Sequence, residues 1–211
     1  MQPGKYYILA ITLIIAILAL ALGPLRSARA DAAPKTDIQS RLVKAAIERT
    51  RHVVIYDGAY QKISYPMGDV SPLKGVCTDV VIRSYRKLGI DLQKEVHLHM
   101  RKHFASYPRI WGLKKPDTNI DHRRVPNLQV FFKAKGLSLA VTKNASDYRP
   151  GDLVTWMLPN NLPHIGIVVN RKSRDNKRFM VVHNIGLGPR MEDMLFDYKI
   201  TGHYRYNGPG K

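Results

Sequence analysis

The hydrophobic pattern of this chain changes period once, at Gly136, and that change restricts the fold more than any other feature. Before it, apolar residues recur at helical spacing; after it, they come in short runs broken by Pro, Gly and Asn. Ile38, Leu42, Ala45, Ala46 and Ile47 share one face of a helix that Asp37 can cap. Cys77, Val80, Val81, Ser84 and Leu88 share a face of a second, which stops at Gly89 with Arg86 and Lys87 in its last turn. Asp91 caps a third through Leu92, Val96, Met100 and Phe104, and Pro126 starts a fourth through Leu128, Phe131 and Phe132. Residues 53–56 read as extended, while 65–75 and 111–124 read as loops. Strands are expected over 137–141, 153–157, 164–169, 179–183 and 199–205. Helices first and strands later predict an α+β domain built on an antiparallel sheet.

The front of the chain reads as a separate piece. Lys5 precedes an unbroken apolar run from Tyr6 to Leu22, Gly23-Pro24 breaks it, and Ala28-Arg29-Ala30 supplies a small-x-small cleavage pattern. That is the layout of a secretory signal over residues 1–30, which sends the remainder to the periplasm or out of the cell. Left uncleaved, the same run is a short inner-membrane anchor. Residues 31–37 then form a leader with Pro34, 38–206 the folded domain, and 207–211 a tail.

With 45% apolar residues the composition is globular, which excludes a disordered chain. Lys and Arg number 34 against 16 Asp and Glu, a formal net charge of +18. Such a surplus favours polyanions. Export sets nucleic acid aside and leaves a membrane surface or an anionic envelope polymer. No stretch of five or six consecutive basic residues marks a binding tail. A monomer is expected.

Cys77 is the only cysteine, so no disulfide forms within the chain. The alternatives are intermolecular pairing, an inert buried thiol, or a nucleophile. Its place at a helix start favours the nucleophile, because exposed N–H groups and the positive end of the dipole lower a thiol's pKa. If 164–169 and 179–183 pair about a turn at Ser173-Arg174, His164 falls opposite His183, close enough for one imidazole to orient the other. Cys77 as nucleophile, His164 as base and His183 as orienting group fill the three roles a thiol hydrolase needs. The backbone N–H of Cys77 and a nearby hydroxyl supply an oxyanion hole. His97, His99 and His103 cluster on the third helix, but no Glu completes a zinc-protease motif, and neither a metal nor an organic cofactor is expected.

The residues Tyr65, Gly75-Val76-Cys77-Thr78-Asp79, Tyr148-Arg149-Pro150-Gly151-Asp152, Pro163-His164-Ile165-Gly166-Ile167 and Val182-His183-Asn184 together resemble the NlpC/P60-type papain-like cysteine peptidases. More closely, Gly75-Val76-Cys77-Thr78-Asp79 and Asn119-Ile120-Asp121-His122-Arg123-Arg124-Val125-Pro126-Asn127 are similar to a family of exported bacterial proteins of unknown function within that superfamily. The resemblance implies a papain-like fold with the nucleophile at the N-terminus of a helix packed on an antiparallel sheet. It also implies hydrolysis of an amide in peptidoglycan stem peptides through a thioester, with Tyr65 as an oxyanion or substrate contact.

Two features depart from the pattern: Thr78-Asp79 replaces the usual Ser-Gly after the nucleophile, and the segment from Asp91 to Pro126 is long. Asp79 either complements the helix dipole or serves the site. Asn184 is a second choice as orienting group, since it alternates to the opposite face from His183. Asp121, His122, Arg123 and Arg124 are candidate substrate contacts, because an Arg pair can clamp a carboxylate; the alternative is a loop salt bridge. Trp111 and Tyr107 either line the same groove or pack under loops. Two rival functions are a non-catalytic basic module that binds wall or membrane, and an acyltransferase with the same machinery.

Overall fold

A computed structural model describes residues 38–209. The expectations for the signal segment, the leader and the Asp37 cap lie outside the described residues. Helices α1 (Ile38–Arg49), α2 (Cys77–Arg86), α3 (Leu92–Lys102) and α4 (Val125–Lys135) precede most of the strands. Strands β1 (Ile55–Tyr56) and β2 (Lys74–Gly75) form a small parallel pair just ahead of α2. The main sheet uses β3 (Leu137–Ser138), β4 (Leu153–Leu158), β5 (Leu162–Lys172), β6 (Phe179–His183), β7 (Arg190–Glu192) and β8 (Lys199–Arg205). Its order is β3-β8-β4-β5-β6-β7, and every neighbouring pair is antiparallel. The expected mixed helix-and-sheet architecture is therefore present.

Local signals set the helix ends. Asp91 Oδ1 accepts from the Gln93 N–H at 3.0 Å and caps α3. Pro126 sits in the first turn of α4, where its missing N–H costs nothing. The structure differs from the sequence reading at three places. β2 emerges from what reads as loop, because Ile55 and Tyr56 pair with Lys74 and Gly75 across a long excursion. Residues 137–141 yield only the two-residue β3. β7 carries no apolar alternation and was not expected.

The sheet buries both faces. On one, Leu42 and Ala46 of α1, Val80 and Val81 of α2, and Leu128 and Phe132 of α4 pack with Ile165 and Ile167 of β5. On the other, Tyr148, Trp156, Val168, Val181 and Leu195 form a second cluster. α2 is buried on all sides from Cys77 to Tyr85, not along one stripe, because the loop before it and the segment before α4 wrap its outer face. Arg83 draws that loop in: its guanidinium donates to Asp69 at 3.0 Å and to the carbonyls of Ser71 and Lys74 at 3.1 and 2.9 Å.

Candidate active site

Cys77 opens α2 and lines a cavity of about 440 Å³, with Tyr56, Trp111, Arg123, Arg124 and Pro163 among its walls. The β1–β2 pair delivers Tyr56 to this cavity, where it lines the wall with Cys77; burial first, then the neighbouring Cys77 and Asp79, push Tyr56 up to about 12. The nearby backbone N–H groups of Ile165, Thr78 and Cys77 favour the thiolate. Burial nevertheless dominates and pushes the thiol up to about 12, with Asp79 adding to the rise. Burial of the thiol thus opposes the lowering that the N–H groups at the helix start favour.

His164 and His183 are hydrogen-bonded, Nε2 to Nδ1 at 3.1 Å, with the rings edge to face. Their register differs from the expected one. Ile167 pairs with Val182 and Val168 with Val181, which sets Gly166, not His164, across from His183. A slip of two residues preserves the face, so the imidazoles still meet on a diagonal. Gly166 is what lets them: a Cβ there would lie 2.6 Å from Val181 Cγ1 and 3.1 Å from His183 Cβ. His183 Nε2 in turn lies 2.9 Å from Glu192 Oε2 on β7. The carboxylate sits off the axis of the ring N–H and makes no aligned hydrogen bond with it.

With the proton of His183 on Nε2, toward Glu192, His183 Nδ1 accepts from His164 Nε2–H and His164 Nδ1 is the basic nitrogen; the opposite tautomer pair reverses the bond. Burial lowers His164 to about 3 with the neighbouring His183 adding to it, and burial lowers His183 against the pull of Glu192. Burial thus favours the neutral forms of the thiol and of both imidazoles. Pro163 and Ile165 flank His164 and both approach Cys77, yet among the described residues no hydrogen bond joins Sγ to the His164 ring.

The remaining expected site residues divide sharply. Tyr65 stands away from the cavity, its ring edge on His97 at 5.1 Å between centroids; Tyr56 holds the place beside the thiol. Asp79 Oδ2 accepts from the Val76 N–H at 2.7 Å, ahead of the helix, and both Asp79 oxygens take Arg123, Nε to Oδ1 and Nη2 to Oδ2 at 2.9 Å each. Arg123 is therefore spent inside the protein and does not form a clamp with its neighbour. Asp121 bonds Arg124 at 3.2 Å and accepts from the Asp117 N–H at 2.6 Å, the loop salt bridge of the alternative reading. His122 is buried, and burial, reinforced by Arg123, lowers it to about 4. Asn184 Oδ1 accepts from the Gly186 N–H at 3.0 Å and does not touch His164.

Arg124 lies over the Trp111 ring at 4.1 Å, whereas Tyr107 is buried and bonded to His99 Nδ1 at 2.8 Å. Among the described residues no three His, Cys, Asp or Glu side chains gather in a way that could hold a metal. The sequence reading missed Tyr56 and Glu192. A Tyr in a two-residue strand and a Glu in a polar one carry no local signal; only their tertiary neighbours mark them.

A family model described as a domain of unknown function, DUF1287, matches residues 43–206. The uncharacterized protein YijF of Escherichia coli (strain K12) is 46% identical over 186 residues, covering 85% of this chain and 90% of that protein. The structure of NlpC1 from Trichomonas vaginalis aligns at 15% identity with a TM-score of 0.44, over 81% of this chain and 45% of that one. The chain belongs to the DUF1287 family.

Proposed function

We propose that this member of the DUF1287 family is an exported cysteine hydrolase of papain-like type that cleaves an amide bond in peptidoglycan stem peptides. The observation that carries the reading is the chain His164–His183–Glu192 set beside a cavity opened by Cys77. The wall as substrate rests on the motif resemblance and on a net charge of +18, which suits a carboxylate- and phosphate-bearing polymer.

In this mechanism substrate seats its carbonyl carbon at Sγ. The thiol proton passes to His164 Nδ1 as the S–C bond forms, so that no standing ion pair is required. Contacts of this kind commonly close only with substrate bound, which suits a resting site without an Sγ–His164 hydrogen bond. The oxyanion takes the Cys77 N–H and the Tyr56 hydroxyl. His164 then returns its proton to the leaving amine, and the acyl group stays on sulfur as a thioester. Water gives a proton to His164 and attacks, releasing the acid and restoring the thiol.

The test is mass spectrometry of purified peptidoglycan fragments incubated with the protein and with Cys77→Ala. New fragments made by the wild type alone are the expected result and identify the bond. Unchanged fragments with folded protein would sink the hydrolase reading in favour of a binding module or of acyl transfer.

A further inference from the structure

The walls of the Cys77 cavity carry two guanidinium groups, Arg123 and Arg124, and no carboxylate side chain. The N-termini of two helices, α2 and α4, also open onto it, since Val76 and Arg124 are their N-caps. Asp79 and Asp121, which are not among the lining residues, pair with these two guanidinium groups from behind the walls. The two arginines differ in what remains of them. Arg123 has closed Nε and Nη2 on Asp79, and its buried Nη1 has no partner among the described residues. Arg124 gives Nη1 to Asp121 and sets its Cζ over the Trp111 ring at 4.1 Å, and no other bond from its guanidinium is formed within the described protein. A guanidinium held between an ion pair and an indole keeps its remaining N–H groups for a planar anion.

We infer that Arg124, backed by Trp111, binds a ligand carboxylate inside the Cys77 cavity. The substrate class is then an amide that carries a free carboxylate a few bonds from the scissile carbonyl. This deepens the hydrolase reading and rests on it for the word substrate; the binding itself does not. A cavity of about 440 Å³ holds roughly one or two amino-acid residues, so the carboxylate belongs to the residue being cut or its neighbour. Arg124 acts here as a specificity residue.

The test uses Cys77→Ala protein, which needs no chemistry at the thiol. The Trp111 indole N–H resonance, assigned with Trp111→Phe, is followed by NMR during titration with N-acetylglycine or N-acetyl-β-alanine, each against its own carboxamide. The Trp156 indole, buried and donating to the Leu195 carbonyl at 3.0 Å, reports that each variant is folded. At least one acid is expected to shift Trp111 saturably and to bind about tenfold more tightly than its amide, the scale of one charge-assisted pair. Arg124→Gln should bring acid and amide level, and Arg124→Lys should keep part of the preference. Arg171→Gln, exposed at the far end of β5, should change nothing.

Equal binding of acid and amide overturns the assignment. So does a preference that survives Arg124→Gln, which would trace to the general basic field, or inorganic phosphate binding as tightly as the acids, which would mean an unselective anion site. Failure of peptidoglycan cleavage leaves this titration readable, so the two readings fall separately.

Discussion

Asp79 and Arg123 meet as a two-point ion pair, both contacts at 2.9 Å, with both side chains buried. Two neighbours of Asp79 reinforce it: the Thr78 hydroxyl donates to the Arg123 carbonyl at 3.0 Å, and the Val76 N–H donates to Asp79. The two motifs that look independent in the sequence are thus halves of one joint, which sets the start of α2 and with it Cys77. Removing Arg123 alone strands a buried carboxylate. Arg123→Met should cost about 3–5 kcal/mol by urea unfolding. Asp79→Asn, which can still accept from Val76, should cost less.

Tyr56 and Tyr65 should separate cleanly in kinetics. Loss of an oxyanion donor costs about 10²–10³ in turnover. Tyr56→Phe is expected to fall in that range on the cleaved fragment, with Tyr65→Phe close to wild type. The reverse order would return the oxyanion role to Tyr65.

Glu192 opposes the effect of burial on His183. Its carboxylate raises the His183 pKa while desolvation lowers it. Glu192→Gln removes the raising part, so the His183 imidazole should titrate at lower pH in NMR, and turnover should fall as the tautomer chain loosens. An unmoved His183 titration would show that the contact at 2.9 Å carries no charge coupling.

Acid should destabilise this fold. His122 and His164 are held at about 4 and about 3, against an ordinary value of 6.5. The unfolded chain therefore takes the proton first: stability is full above about pH 6.5 and declines as pH falls toward the folded values, by about 1.4 kcal/mol per pH unit for each group. For His122 alone the loss by pH 4 is about 3 kcal/mol. His122→Gln should reduce the slope of unfolding free energy between pH 6.5 and 4 by one proton's worth.

Gly166→Ala should damage stability and site together. The added methyl would meet Val181 Cγ1 at 2.6 Å and the Val182 carbonyl at 3.0 Å, both part of the packed sheet. A cost of about 1–3 kcal/mol is expected from overpacking, with the His164–His183 bond lengthened. Thermal melting and the imidazole NMR signals check it.

What the sequence determined by itself is what local periodicity encodes. The change of pattern at Gly136 gave helices and then an antiparallel sheet, Asp91 capped its helix, and Cys77 opened another. The two histidines could be assigned to one face because parity survives a slip of two residues, though the partner across the strand does not. Tertiary structure decided the rest. It chose Tyr56 over Tyr65, brought Glu192 to His183 and turned Arg123 inward, leaving Arg124 for the cavity. Tyr56 and Cys77, and Arg123 and Asp79, lie far apart along the chain, beyond any spacing rule, and Glu192 sits in a polar strand with no pattern to place it. Burial, which depends on every layer around α2, also opposes the lowering that the helix start alone would have set on the Cys77 thiol.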